Sequence, residues 1–204
     1  MEKVDLKKQF PHLYKASGKK MEIVTVPKLN YLMIDGTGDP NNSKQFEEAI
    51  GALYSLSYTI KFMFKKGAQQ IDYGVMPLEG LWWTDDMKNF SMEDKSKWKW
   101  TLMVTQPEFV TKAIIAEARA LVAKRKSVPM LDEVRFEAMN EGLCAQVLYT
   151  GPYSGEAPTI VKLHEFIKDS GYQLRGKHRE IYLNDMRRTA PEKLKTIIRQ
   201  PIAK

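Results

Sequence analysis

The stretch Tyr31-Leu32-Met33-Ile34-Asp35-Gly36-Thr37-Gly38-Asp39-Pro40 decides the fold, because a strand-like apolar run ends there in turn-forming residues. A long amphipathic helix is predicted next, since apolar side chains from Phe46 to Phe64 recur at intervals of three and four residues. The stretch Tyr149-Thr150-Gly151-Pro152-Tyr153 repeats this change from strand to turn and precedes a second predicted helix over 156–169. We therefore expect an internal duplication of low sequence identity.

The other elements are predicted outward from these two stretches, from alternating apolar patterns for strands and from caps and Pro or Gly for their ends. Thr189 and Glu192 form a capping box around Pro191, which predicts a short basic helix at the end of the chain. The predicted elements are strands at 22–26 and 31–34 with a turn at 27–30, strands at 71–78 and 97–105, a helix at about 107–126, a hairpin of 133–141 with 143–150, a strand at 179–183 and a closing helix at about 189–199.

Hairpins mixed with helices favour an α+β fold over a parallel sheet. We expect two pseudo-symmetric strand-helix-strand-strand modules, at about 21–105 and 130–185, that form one curved antiparallel sheet. Helices would cover one face, and a ligand cleft would lie on the other. Residues 1–20 are Lys-rich and are predicted to form a basic arm laid over a single domain, 21–204.

Charge is distributed unevenly along the 204 residues, whose formal net charge is +7. Residues 1–30 carry +4 and residues 186–204 carry +5, so the middle of the chain carries −2. The basic ends thus account for the positive net charge. Short basic clusters such as Lys124-Arg125-Lys126 lack interleaved aromatic residues, so nucleic acid is not the expected partner.

Composition also excludes several other classes of protein and site. No stretch approaches the roughly 20 apolar residues of a membrane helix, and no apolar signal core opens the chain, so we expect a cytoplasmic protein. The single cysteine, Cys144, rules out an internal disulfide and a cysteine-rich zinc site. Three scattered histidines and no phosphate-binding loop predict neither metal nor cofactor.

All four tryptophans, Trp82, Trp83, Trp98 and Trp100, fall within 19 residues. Strand alternation places Trp98 and Trp100 on one face, as a stacked pair. Two interpretations are open: an ordinary aromatic core, or an aromatic-walled pocket for a flat, hydrophobic ligand.

Glu180 and Tyr182 alternate with Ile181 in a predicted strand. If Ile181 packs under the helices, Glu180 faces the cleft, where lost hydration would make it a candidate base or a partner for cationic ligands. The alternative is a solvated glutamate paired with Arg179 or Lys177. Tyr73 occupies the corresponding strand of the first module and has the same two interpretations.

At this point the chain resembles the GyrI-like small-molecule-binding family, whose fold also occurs in the ligand-binding domains of multidrug-responsive transcription regulators. The double-tryptophan and Glu-Ile-Tyr-Leu segments make the resemblance specific. The matching segments are 73–83 (YGVMPLEGLWW), 98–101 (WKWT) followed by Pro107, 150–153 (TGPY), and 180–185 (EIYLND) followed by 187–192 (RRTAPE).

The resemblance implies a cleft glutamate, which Glu180 matches, and similarity to stand-alone proteins that hydrolyse cyclopropanoid genotoxins of the yatakemycin and duocarmycin type. Glu180 and Tyr73 are then the expected catalytic residues. The expected ligand-binding residues are Trp82, Trp83, Trp98, Trp100, Tyr153 and Tyr182. The resemblance also leaves two alternatives: a non-catalytic binder or sensor of lipophilic cations, and an inhibitory partner of DNA gyrase.

Overall fold

The structure is a computed structural model that describes residues 1–85 and 95–204. Three helices match the predicted periodicity, and the longest begins at a suitable cap, since Ser43 accepts a hydrogen bond from the N–H of Phe46 at 3.2 Å. The helices are α1 (Leu6–Gln9), α2 (Pro11–Tyr14), α3 (Lys44–Lys66), α4 (Lys112–Arg125) and α5 (Ala157–Asp169). The strands are β1 (Glu2–Val4), β2 (Glu22–Thr37), β3 (Ile71–Tyr73), β4 (Leu78–Trp83), β5 (Lys99–Gln106), β6 (Arg135–Thr150), β7 (Gln173–Leu174), β8 (His178–Tyr182) and β9 (Lys195–Ala203).

The main sheet is antiparallel and closes on itself. Its strand order is β6-β2-β5-β4-β8-β9, and β9 also pairs with β6, from Cys144 opposite Pro201 to Thr150 opposite Lys195. The order of elements is β2-α3-β4-β5 in one half and β6-α5-β8-β9 in the other, which confirms the α+β class and the paired modules. The second module extends through β9, past the predicted limit of 185.

Two predicted turns are wrong, because β2 and β6 are each one continuous strand of 16 residues. They pair from Glu22 opposite Gln146 to Met33 opposite Arg135. The sequence predicts chain reversals at Pro27 and Gly142, but both residues lie within this paired ribbon. Gly142 has a φ of +75°, so here the glycine absorbs a local bend and does not end the strand.

The predicted closing helix at 189–199 is also wrong. A single 3-10 turn at Pro191–Lys193 leads directly into β9. Residues such as Ile197 and Ile198 are fully buried there, because β9 fills the gap between β8 and β6 and completes the closed sheet. Tertiary pairing therefore overrides the local capping signal.

The inner face of the closed sheet is filled by side chains around Arg179, which is fully buried. Its guanidinium donates to Glu79, to Glu141 at 2.5 Å and to the hydroxyl of Tyr31 at 3.0 Å. This pairing compensates for the loss of hydration of a buried cation.

The N-terminal arm closes one end of this core. Leu13 is fully buried, and its carbonyl accepts a hydrogen bond from Arg199 at 2.6 Å. The Tyr14 hydroxyl lies 3.3 Å from that of Thr105. The arm is therefore packed into the core and is not merely laid over the surface.

Candidate functional site

Glu180 lies on the face of the sheet that carries the helices. It stands beside Gly80 of β4 and Ile198 of β9 in the strand register. Ile198 packs in one cluster with Leu163 and Ile167 of α5. The expectation that Ile181 would lie under the helices is therefore reversed. Both faces of β8 are buried, so the alternation of Glu180 with Ile181 could not tell the inner face from the helix face.

Neighbours on its own strand hold the carboxylate of Glu180. Nε2 of His178 lies 3.2 Å from Oε1, and the hydroxyl of Tyr182 donates to Oε2 at 2.6 Å. Nε1 of Trp82 in turn donates to the Tyr182 hydroxyl at 3.0 Å. The predicted alternatives, Arg179 and Lys177, are not its partners, since Arg179 faces the inner core and Lys177 lies over the ring of Trp83.

These contacts keep Glu180 charged. Burial alone would raise its pKa, but the hydrogen bond and charge of His178, with the hydrogen bond of Tyr182, more than offset burial and lower the pKa. Burial and the adjacent carboxylate raise the pKa of the Tyr182 hydroxyl, so it remains a donor. The Glu180 side chain is 13% exposed, so it is nearly buried.

A second carboxyl group, Glu156, approaches Glu180 from the residue that precedes α5. Glu156 is 1% exposed. Burial, with the nearby Glu180 charge, raises its pKa to about 9. The ring of Tyr153, one turn earlier, packs edge-on to Tyr182 with 5.5 Å between centroids. Tyr153, Tyr182, Glu156 and Glu180 thus form one cluster.

Three of the four tryptophans form an aromatic wall beside this cluster. Trp82 lies directly opposite Trp100 across β4 and β5, and Trp98 packs edge-on to Trp82 at 5.4 Å. Phe46, from the first turn of α3, contacts both Trp82 and Trp100, at 6.0 and 5.2 Å between centroids. Trp82 and Trp100 are 4% and 0% exposed, as the aromatic-core interpretation expects, and the pocket interpretation stays a prediction.

Two glycines allow this wall to form. A Cβ on Gly36 would lie 2.1 Å from the ring of Trp100, and one on Gly80 would lie 2.7 Å from Nε1 of Trp82. The indoles therefore lie flat over the backbone of the sheet. Gly36 lies within β2, opposite Trp100 of β5, so its role is this close contact and it does not end the strand.

Two predicted site residues are not brought to Glu180. Trp83 points to the opposite face from Trp82, and Nζ of Lys177 lies 3.2 Å from the centroid of its ring. Tyr73 packs against Phe64 at 6.4 Å, at the far end of α3 from Phe46. Phe46 and Phe64 are 18 positions apart, which corresponds to roughly 27 Å of helix at 1.5 Å per residue.

Sequence reasoning missed three contributors to the cluster, namely Phe46, Glu156 and the contact of His178 with Glu180. His178 and Glu180 are two positions apart in a strand, so their side chains point to the same face, and this spacing could have predicted their contact. Glu156 follows the Thr-Gly-Pro-Tyr segment by three residues, but only the fold shows that β8 lies beside it.

No group of His, Cys, Asp or Glu within residues 1–85 and 95–204 is arranged to hold a metal ion. No helix in those ranges combines the length and the apolar character that crossing a membrane requires.

Comparison with known proteins agrees with this architecture. Two solved Listeria innocua proteins, an uncharacterized conserved protein and a hydrolase, are 37% and 36% identical to the chain, with TM-scores of 0.90 and 0.89. Alignments cover 98% and 99% of this chain and 100% of each of theirs. The EcmrR C-terminal domain, at 13% identity, shares the fold with a TM-score of 0.55, over 91% of this chain and 98% of its own. Among curated proteins, none matches.

The GyrI-like small-molecule-binding domain matches residues 19–203. This range includes both modules, the aromatic wall, Glu156 and Glu180. The chain therefore belongs to the GyrI-like small-molecule-binding family.

Proposed function

We propose that this protein binds flat, hydrophobic aromatic molecules beside Trp82 and Tyr182 and hydrolyses cyclopropanoid genotoxins there, as a detoxifying enzyme. The observation that carries the proposal is the charged, nearly buried Glu180, held by His178 and Tyr182 against an aromatic wall. A water molecule and a planar ligand would meet at this one carboxylate. The 36% identity to a protein described as a hydrolase supports the same class of reaction.

The opening of a strained cyclopropane requires an aligned water more than a strong base. The lowered pKa of Glu180 makes it a weak base but keeps it ionised at neutral pH. Glu180 therefore orients the water and stabilises the positive charge that develops on it, while the ring faces hold the planar substrate. Help of this kind is worth about 10² to 10⁴ in rate.

Tyr182 connects the two parts of the site. Its hydroxyl accepts from Trp82 and donates to Glu180, so the aromatic wall and the carboxylate have a fixed separation. Tyr153 packs on the same ring. Tyr153 and Tyr182 are both partly exposed, and a ligand therefore enters on their side and not through the packed tryptophans.

A second candidate function is the binding of lipophilic cations without turnover. It is favoured by the same carboxylate among aromatic faces, where each cation–π contact is worth about 0.5 to 2 kcal/mol. In that case Glu180 would serve as a counter-ion, and a cationic ligand would compete with His178 for it.

The test compares wild type with Glu180→Gln, using Trp fluorescence for binding and mass spectrometry for the water adduct of a duocarmycin-type compound. Glu165→Gln is the matched control, because Glu165 is exposed on α5. We expect Glu180→Gln to bind the compound with unchanged affinity and to lose turnover by about 10² or more. Undiminished turnover in this variant, or no adduct from wild type, contradicts the hydrolase proposal. Selective loss of cation binding with no adduct from wild type supports the second candidate.

A further inference from the structure

A groove on the surface of the protein runs between α3 and α4. It holds two adjoining cavities of about 410 and 290 Å³, and both are lined by Thr59, Phe62 and Arg125. No residue of the Glu180 cluster or of the aromatic wall lines either cavity. The larger cavity has the size of a small-molecule site, for which about 300 to 1,000 Å³ is usual.

The α3 side of this groove is aromatic. Aromatic side chains recur every four residues from Tyr54 to Phe62, so they share one helix face over roughly 12 Å. Phe62 is 45% exposed, which leaves a large apolar ring in contact with water. Gly51 lies one turn before Tyr54 and lines the same cavity. A Cβ at Gly51 would meet no atom within 4 Å, so packing does not require glycine there, and its effect is to leave open space in the groove.

The α4 side of the groove is positively charged. Arg125 and Lys126 line the larger cavity, and Lys66 of α3 lines the smaller one. Within residues 1–85 and 95–204, none of these three cations forms an ion pair. Among the described residues, no Asp or Glu lines either cavity. The groove therefore combines an apolar aromatic side with positive charge that nothing on its walls neutralises.

Basic residues are common in the last turn of a helix, because they complement the helix dipole. Lys124 and Arg125 both lie in the last turn of α4, but Lys124 lines neither cavity. Lys124 can therefore distinguish a role at the helix end from a role in the groove. The charge of the groove is also opposite to that of the other candidate site, where the carboxylate of Glu180 disfavours an anion.

We propose that the groove between α3 and α4 is a second binding site, which takes small aromatic anions such as aromatic carboxylates and sulfonates. The ring lies against Tyr54 and Phe62, above Gly51, and the acidic group lies at Arg125 and Lys126. Binding covers the exposed aromatic surface and pairs the two cations. This site goes beyond the proposed function, because the Glu180 site takes neutral or cationic molecules.

The test titrates the full chain with anilinonaphthalene sulfonate, an aromatic sulfonate whose fluorescence rises in apolar surroundings. Lys126→Gln should weaken dye binding about threefold, as expected for an exposed ion pair, and the double variant Arg125→Gln/Lys126→Gln about tenfold. The matched control Lys124→Gln removes the same charge outside the groove and should bind as wild type does. Gly51→Ala should weaken binding about threefold or more, while its stability in urea stays at least that of wild type.

Glu180→Gln locates the dye, and no readout uses turnover, so the result is independent of the hydrolase proposal. This variant should leave dye affinity unchanged, whereas tighter binding would place the anion at the Glu180 site and overturn the proposal. Equal effects of Lys126→Gln and Lys124→Gln, or wild-type affinity in Gly51→Ala, would also overturn it. A dimer of the dye-free protein in size-exclusion chromatography that Gly51→Ala dissociates would make the groove a contact between copies instead.

Discussion

At the scale of single residues, the carboxyl pair links stability to pH. The raised pKa of Glu156, about 9, means that the folded protein holds a proton which the unfolded chain releases near the ordinary glutamate pKa of 4.5. The stabilisation of the folded state by this bound proton is complete below pH 4.5 and is lost as pH rises towards 9. The free energy of unfolding should therefore fall across this window, by at most about 1.4 kcal/mol per pH unit from this group.

Glu156→Gln should remove that contribution, because an amide does not titrate. Urea unfolding at several pH values between 5 and 9 measures how steeply the free energy of unfolding falls with pH. The control Glu165→Gln should show the same dependence on pH as wild type. If the free energy of unfolding of Glu156→Gln fell with pH as steeply as that of wild type, Glu156 would not be the group that holds the proton.

Tyr182 gives a second prediction at this scale. Tyr182→Phe leaves Glu180 without its 2.6 Å donor and Nε1 of Trp82 without its acceptor, so stability should drop by about 1–3 kcal/mol. The pKa of Glu180 should rise, which moves the acid limb of turnover to higher pH. The exposed Tyr58→Phe on α3 should change neither property. Equal stability of the two variants in urea would refute the bridging role of Tyr182.

At the scale of elements, the sequence predicts helices better than strand ends. The apolar period of α3 fixes its face and length, and Ser43 marks its start. Pro27 and Gly142 mark bends in long paired strands, but locally they are indistinguishable from turns. The final strand is missed for the same reason: the partners of Ile197 and Ile198 lie on β8 and β6, far away in the sequence.

The contact between Gly36 and Trp100 tests how β2 and β5 carry the aromatic wall. Gly36→Ala should destabilise the protein by about 1–3 kcal/mol, because the new methyl group would meet a fully buried ring 2.1 Å away. Gly51→Ala is the control, since a Cβ there meets no atom within 4 Å and alanine favours the helix by roughly 0.5–1 kcal/mol. Urea unfolding of both variants checks this, and a neutral Gly36→Ala would show that Trp100 can move away.

At the scale of the whole molecule, closure of the sheet determines where the site lies. The inner face is filled by Arg179 and its partners. The proposed ligand site therefore lies on the helix-bearing face, beside Phe46 in the first turn of α3 and near the start of α5. The sequence indicated Glu180, Tyr182 and the tryptophans by residue type. It could not indicate Phe46 or Glu156, because their approach to β4 and β8 exists only after closure.

The N-terminal arm belongs to the same closed unit. Leu13→Ala should lower the free energy of unfolding by about 2–5 kcal/mol, because Leu13 is fully buried and its carbonyl meets Arg199. Leu174→Ala, at a half-exposed site, should have little effect. A single, uniformly shifted transition in Leu13→Ala is expected in chemical denaturation. An unchanged midpoint would make the arm a separate, dispensable segment.

The central claim is that the Glu180 site adds water to a cyclopropane ring. Its most direct measurement is mass spectrometry of a carbonyl-conjugated cyclopropane compound incubated with the protein in ¹⁸O-labelled water. We predict a ring-opened product with a single labelled oxygen from wild type and Glu165→Gln, and almost none from Glu180→Gln. A ring-opened product without the label, or equal labelling by Glu180→Gln, would contradict the account.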